Sequence, residues 1–309
     1  MSQYNRMLVA APERWDDACF AVPAVRALVA SGLRVGVMCG TSQMAFWQTL
    51  RGIEVSDAGT PLDAAAWDAA LAWEDGPIAR AIRKSGVTRR IAPASDGKLG
   101  KWSTDAAEIH IDVLEHRVRY FLATVEALGV RTDDKAFFAA VERPARPQNG
   151  VMLCADSDFG PSHEWPLDRW LELARWLAGD CGLRISVVAL DGGRGLGARL
   201  AAELGEGVEK ISVASLSEAM GDMQSARLLI SADGSIPHLA SHFGATCAVI
   251  FGPNDASWRR PLGRHHVIIR HHTECAPCLM ARCPLDHRCM TRLELAGAKD
   301  ALRPLLENC

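Results

Sequence analysis

Asp233-Gly234-Ser235, followed three residues later by His238, stands between two apolar segments, Leu228–Ser231 and Ile236–Phe243. A short apolar run, a tight turn and a small-residue segment ending at Gly244 read as strand, turn and helix. Where a strand's carboxyl end meets a helix start, unsatisfied N–H groups and the helix dipole suit a phosphate. The same residues also serve as a plain N-cap, which needs no ligand. A second cluster follows: Cys275, Cys278, Cys283 and Cys289 are spaced C-x2-C-x4-C-x5-C, with His287 inside. Thiolate sulfur at that spacing can hold one structural zinc or iron ion. Reduced thiols packing a loop, or a disulfide pair, remain the alternatives. His265, His266, His271 and His272 lie just upstream, as further ligands or as surface residues around a strand.

These groups need elements to hold them. Thr246–Phe251 reads as a buried strand closed by Gly252-Pro253, so residues 228–253 have the lengths of a βαβ unit. Upstream, strands are expected at Met7–Ala10, Leu33–Met38, Ala69–Trp73 and Val87–Ile91. Helices are expected at Ala21–Val29, starting near Pro23, and at Ser42–Leu50, Pro77–Ser85 and Ile109–Leu128, with 94–106 as a surface loop. Residues 143–149, Pro-rich and without periodicity, read as a linker. A second series follows, with strands Val151–Ala155, Leu183–Leu190 and Lys210–Val213 and helices Asp168–Ala178, Gly197–Leu204 and Leu216–Met223. Alternating strands and helices imply α/β domains with parallel sheets covered on both faces. The domains fall at 1–145 and 146–309, with the last helix free to pack back on the first.

The 309 residues suit two such domains. A composition of 49% hydrophobic and 23% charged residues fits a soluble globular chain, and a formal charge of −3 gives no case for nucleic acid. No signal-peptide pattern and no bilayer-length apolar run is present, so a cytoplasmic protein is expected. Of the ten cysteines, Cys19, Cys39, Cys154, Cys181 and Cys247 read as buried small hydrophobes.

The run Asp-Gly-Ser-Ile-Pro-His-Leu-Ala, then Phe-Gly-Pro-Asn-Asp, then CAPC…CPLDHRCM resembles the C-terminal signature of glycosyltransferase family 9. These are the ADP-heptose:lipopolysaccharide heptosyltransferases, and the heptosyltransferase II branch is the one resembled. The loop CADSDFGPSHEWPLDRW is similar to the family's Pro-Gly-Ala-x-x-Gly-Pro-Ala-Lys-Arg-Trp-Pro segment at Gly160, Pro161, Trp165 and Pro166. The resemblance implies a GT-B architecture, two Rossmann-like doubly wound domains facing a central cleft. The first domain would bind the acceptor and the second the nucleotide sugar.

It further implies inverting transfer of a heptose from ADP-heptose to a lipopolysaccharide inner-core or related glycan acceptor. No cofactor or divalent cation would be required for catalysis, and contact with the inner membrane would be peripheral. Asp17 falls on the family's proposed catalytic base, which takes the acceptor hydroxyl's proton and stabilises positive charge on the ring. Without the family it reads as a helix cap. His163 falls on a lysine that grips the donor phosphates, with Arg194 and Arg259 as other candidate cations. Ser217 falls on the family's ribose-binding Glu, with Glu218 one place after it; Asp233, Gly234 and Ser235 contact the nucleotide diphosphate together with His163, and His238 lines the same donor mouth. Two positions depart: Asp16 replaces a Gly, and a histidine, charged only part of the time, replaces the lysine. The departures keep two alternatives open, another nucleotide sugar or acceptor on the same fold, and a catalytically inactive nucleotide-sugar-binding relative.

Overall fold

The computed structural model describes residues 4–95, 97–112, 114–141, 150–190, 194–212, 220–225 and 228–306. The linker expected at 143–149 lies outside them. The chain divides into two compact units, Met1–Ala139 and Ala140–Cys309.

In the first unit, strands β1 (Arg6–Ala10), β2 (Arg34–Cys39), β3 (Ile53–Asp57), β4 (Ala69–Leu71), β5 (Arg90–Pro93) and β6 (Asp105–Ala107) alternate with helices. The helices are α1 (Trp15–Ala30), α2 (Met44–Trp47), α3 (Pro77–Ser85), α4 (Lys98–Trp102) and α5 (Val118–Glu126). The strands are ordered β3-β2-β1-β4-β5-β6, and every pairing is parallel. Leu8, Ala70, Ile82 and Trp102 build the core on one face, and Trp102 Nε1 donates to Ala79 O at 2.7 Å.

Three local readings change here. Helix α1 begins at Trp15 and carries Pro23 inside it. A proline removes one helical N–H, but twelve of the sixteen residues of α1 are buried, and that packing holds the helix through the break. The segment read as a loop contains α4 and the edge strand β6. The long helix expected from Ile109 begins at Val118, because Asp112 and His116 turn the chain by accepting the N–H groups of Leu114 and Val118.

The second unit repeats the plan with β7 (Gly150–Cys154), β8 (Arg184–Ala189), β9 (Glu209–Ser212), β10 (Leu228–Ala232), β11 (Thr246–Phe251) and β12 (Val267–Arg270). Its helices are α6 (Leu167–Gly179), α7 (Leu196–Leu204), α8 (Met220–Ser225), α9 (Ser235–His242), α10 (Ala256–Arg259), α11 (Arg288–Thr291) and α12 (Leu295–Leu302). The order is β12-β11-β10-β7-β8-β9, again parallel throughout. Trp165 and Trp170, ring edge to ring face at 5.6 Å, anchor its core. Trp165 Nε1 donates to Leu293 O, and α12 lays Ala298 and Leu302 into this same core.

Counted from each unit's first strand, both sheets have the doubly wound order 3-2-1-4-5-6. Such a sheet binds ligands at the carboxyl ends of its strands, where the order reverses. In the first unit that point lies between β1 and β4. In the second it lies between β7 and β10.

Candidate active site

The first switch point is built from the loop after β1, the first turn of α1 and the chain leaving β4. Asp16 and Asp17 both sit in that first turn and are buried, at 0% and 4% exposure. A helix N-terminus favours negative charge, and each carboxylate also has an arginine. Arg14 Nε and Nη2 reach the two oxygens of Asp16 at 3.1 and 3.2 Å. Arg117 holds Asp17 in the same forked way, Nε to Oδ1 at 3.0 Å and Nη2 to Oδ2 at 3.1 Å. Arg117 is itself stacked over Tyr120, 4.4 Å from the ring centroid. Burial opposes its charge, but the bond to Asp17 and the charges of Asp17, Tyr120 and Asp16 outweigh that, so its pKa lies above the ordinary value. Glu74, after β4, accepts the Glu13 N–H at 2.7 Å, and burial raises its carboxyl. The sequence reading found Asp17 but not Arg117.

The second switch point is built from the β7–α6 loop, the β10–α9 turn and the chain after β11. His163 ends a single 3₁₀ turn, Pro161–His163, and is 2% exposed. Its Nδ1 lies 3.1 Å from Oδ2 of Asp233, which is fully buried. Asn254 Nδ2 donates to the same oxygen at 2.6 Å. Oδ1 of Asp233 has no partner among the described residues. Burial raises the Asp233 carboxyl, and His163, Asn254 and the charge of Arg259 pull the other way. Arg259 also lies over the Phe159 ring at 5.9 Å, so of the two arginines singled out from sequence it is the one brought to the site. Arg194 is exposed in the turn before α7.

Two helix N-termini at this edge are already filled by carboxylates from the β7–α6 loop. Asp156 accepts the N–H groups of Leu190 and Gly197, at 2.8 and 2.9 Å, and closes the start of α7. A Cβ on Gly195 would fall 2.3 Å from its Oδ1, which fixes glycine there. Asp158 accepts the Ser235 N–H at 2.7 Å and the Ser235 hydroxyl at 2.5 Å. The first N–H of α9, expected to face a phosphate, is therefore capped by a side chain. Asp158 is exposed, so this cap is open to exchange with a stronger anion. Gly234 and His238 are buried at the start of α9, whereas Ser217 and Glu218 lie outside the described residues.

The C-x2-C loop carries Cys275, Cys278, Cys283 and Cys289, the candidate metal ligands. Among the described residues, no three His, Cys, Asp or Glu side chains come together as a metal requires. Cys275 lies 3.6 Å from the Thr273 hydroxyl and Cys283 accepts the Leu285 N–H at 3.4 Å. Cys289, buried on α11, is pushed up to about 11 by burial and then by the neighbouring thiols Cys275, Cys278 and Cys283. All four are free thiols, whereas Cys181, read as a buried hydrophobe, is disulfide-bonded. The loop's visible work is structural. Ser162 N–H and hydroxyl donate to Ala281 O and Met280 O, and His287 Nε2 donates to Ser162 O at 2.7 Å. It thus clamps the turn that carries His163. His266 is also structural, accepting the Cys247 N–H at Nδ1 and donating from Nε2 to Leu262 O. A cavity of about 450 Å³ lies at the opposite edge of this sheet, where β10, β11 and β12 begin, and is separate from the switch point.

Two doubly wound sheets, each with buried charge at its switch point, define a protein of the GT-B class. Residues 103–288 match the sequence profile of glycosyltransferase family 9 (heptosyltransferase), and the chain belongs to that family. No curated protein matches the sequence. Among solved structures, Escherichia coli ADP-heptose lipopolysaccharide heptosyltransferase II is 16% identical, with a TM-score of 0.75 over 97% of this chain and 98% of that one. E. coli heptosyltransferase WaaC with ADP is 14% identical, with a TM-score of 0.74 over 97% and 99%. The iron-containing dodecameric glycosyltransferase TibC from enterotoxigenic E. coli is 12% identical, with a TM-score of 0.63 over 99% and 77%. Among the described residues, no helix is long and apolar enough to cross a membrane.

Proposed function

We propose that this chain transfers a heptose, with inversion, from ADP-heptose to a lipopolysaccharide core or related glycan acceptor. The observation that carries the reading is Asp17. It is a buried carboxylate on the first turn of α1, at the first sheet's switch point, with both oxygens aligned by Arg117. A carboxylate offers about four lone-pair positions, and in this reading one of them takes the acceptor hydroxyl. As the hydroxyl oxygen bonds the anomeric carbon, its proton passes to Asp17 and the bond from that carbon to the β-phosphate oxygen breaks, releasing ADP. Arg117 holds both oxygens of Asp17 in place for that transfer.

The donor diphosphate belongs, in this reading, to the second switch point. There Gly234, Ser235 and the start of α9 offer a compact backbone, Asn254 and Arg259 offer donors, and His163 and Asp233 set the charge. Protein groups would neutralise the leaving group, so turnover is expected to survive a chelator. The acceptor is lipid-linked, so peripheral contact with a membrane surface is part of the proposal.

A second reading, a nucleotide-sugar-binding relative without transfer, is motivated by Asp16 in place of the family's glycine and His163 in place of its lysine. One experiment separates the readings: calorimetric titration with ADP, UDP, GDP and ADP-heptose, followed by an ADP-release assay with core acceptors. Selective ADP binding with turnover supports transfer, and ADP binding without turnover on any core acceptor supports the second reading. Selective binding of UDP or GDP changes the donor, and no binding at all sinks the donor assignment.

A further inference from the structure

We propose that the second unit takes up its anionic ligand together with a proton, through the buried His163–Asp233 pair. This rests on placing the donor diphosphate at the second switch point, and it adds how that site is regulated.

The geometry sets the direction of the coupling. His163 Nδ1 is committed to Asp233 Oδ2 at 3.1 Å, so Nε2 is the nitrogen left for a ligand. Asp233 is fully buried and its Oδ1 has no partner among the described residues. With a neutral imidazole donating from Nδ1 to an ionised carboxylate, the pair carries one negative charge. That charge is costly to bury and repels a phosphate. A proton on Nε2 makes the pair neutral and creates a charge-assisted donor for a phosphate oxygen. An imidazole changes charge within the physiological range, whereas a lysine at the same place would stay cationic throughout.

Arg259 of α10 and the amide of Asn254 favour the Asp233 anion. The nearby carboxylates are engaged elsewhere: Asp158 accepts the Ser235 N–H at the start of α9, and Glu164 Oε1 accepts the Ser157 N–H. His238, a few positions after Asp233 on α9, is buried, and His287 Nε2 donates to the carbonyl of Ser162. An imidazole can exchange a proton near neutral pH, and His163, His238 and His287 lie on these elements. Among them, His163 is the one bonded to Asp233.

Because the ligand-bound form holds the extra proton, affinity is highest at low pH and falls as pH rises through the range where the free site has lost it. The test is calorimetric titration of the full chain with ADP between about pH 6 and 8.5, in buffers of different ionisation heat. The expected result is uptake of about one proton at the upper end and affinity falling by up to about tenfold per pH unit. ADP's own terminal phosphate titrates near the lower end of this range, so His163→Lys is the reference. That variant should bind without the extra proton and with a flatter pH profile. His163→Gln, which keeps a donor for Asp233 but cannot take up a proton, should lose the uptake as well. Identical proton uptake and pH dependence in wild type and both folded variants would overturn the proposal while leaving the donor site standing. Failure of folded wild type to bind ADP at any pH would instead remove the donor reading beneath it.

Discussion

The two switch points share one strand order and differ in how they neutralise a buried aspartate. At the first, Asp17 is gripped by a guanidinium, a permanent cation with a rigid fork. At the second, Asp233 meets an imidazole and an amide on one oxygen, and its other oxygen has no partner among the described residues. The first arrangement fixes the position of both carboxylate oxygens, which suits the proton acceptor proposed there. The second leaves one carboxylate oxygen without a partner among the described residues, which suits the proposed proton-linked binding of an anionic ligand. Repeating a fold therefore repeats the position of a site without repeating its chemistry.

The largest effect is expected from removing the fixed carboxylate. Asp17→Ala should lower transfer by about 10²–10⁴-fold, the range for a positioned general base, with ADP binding retained. An unaltered ADP-release rate would remove Asp17 from the chemistry. Arg117→Ala should cost about 3–5 kcal/mol in denaturant unfolding, because it strands a buried carboxylate. A loss under about 1 kcal/mol would mean that water replaces the guanidinium, and the contrast between the two sites would dissolve.

How much of this was legible in the sequence depends on the range of the interaction. Thr246–Phe251 was read with its observed limits, because a continuous apolar run between Gly244 and Gly252-Pro253 is a local signal. The position of Asp233 at a strand end followed in the same way. Strand β3, half-buried along its length, gave no comparable run and was not read. Arg117 could not be found locally, since it lies 100 positions from the carboxylate it holds. Asn254 stood inside a recognised signature, but its bond to Asp233 depends on bringing the ends of β10 and β11 side by side. The cap by Asp158 on α9 likewise joins residues 77 apart. Composition and periodicity specify elements, whereas these pairings are specified by strand order.

A smaller effect should appear in the pH dependence of stability. Asp233 has its pKa raised in the folded state, chiefly by burial. A raised folded pKa means that the folded protein holds the proton more tightly than the unfolded chain does. Its stabilisation is full below the unfolded carboxylate range and is lost as pH rises through the folded value. Asp233→Asn mimics the protonated form and should remove that loss. The thermal stability of the variant should therefore gain on wild type as pH rises from about 4 to 7. Parallel profiles would show that Asn254 and His163 already satisfy the ionised carboxylate, making the two switch points electrostatically alike.

The smallest effect is expected at the cysteine loop, which supports the second switch point from outside. Cys275 is exposed, and its sulfur lies 3.6 Å from the Thr273 hydroxyl. Cys275→Ser should therefore change unfolding stability by no more than about 0.5 kcal/mol. His287→Ala, which removes the donor to Ser162 O, should cost about 1–3 kcal/mol and weaken ADP binding by loosening the turn that carries His163. The pair of variants separates a clamp made of hydrogen bonds from one made by metal. A metal site would make Cys275→Ser the costlier change, and elemental analysis of the purified protein would then find stoichiometric zinc or iron. With the order reversed and no metal present, the loop acts on the donor site through the Ser162 carbonyl and the two bonds that Ser162 donates to Met280 and Ala281.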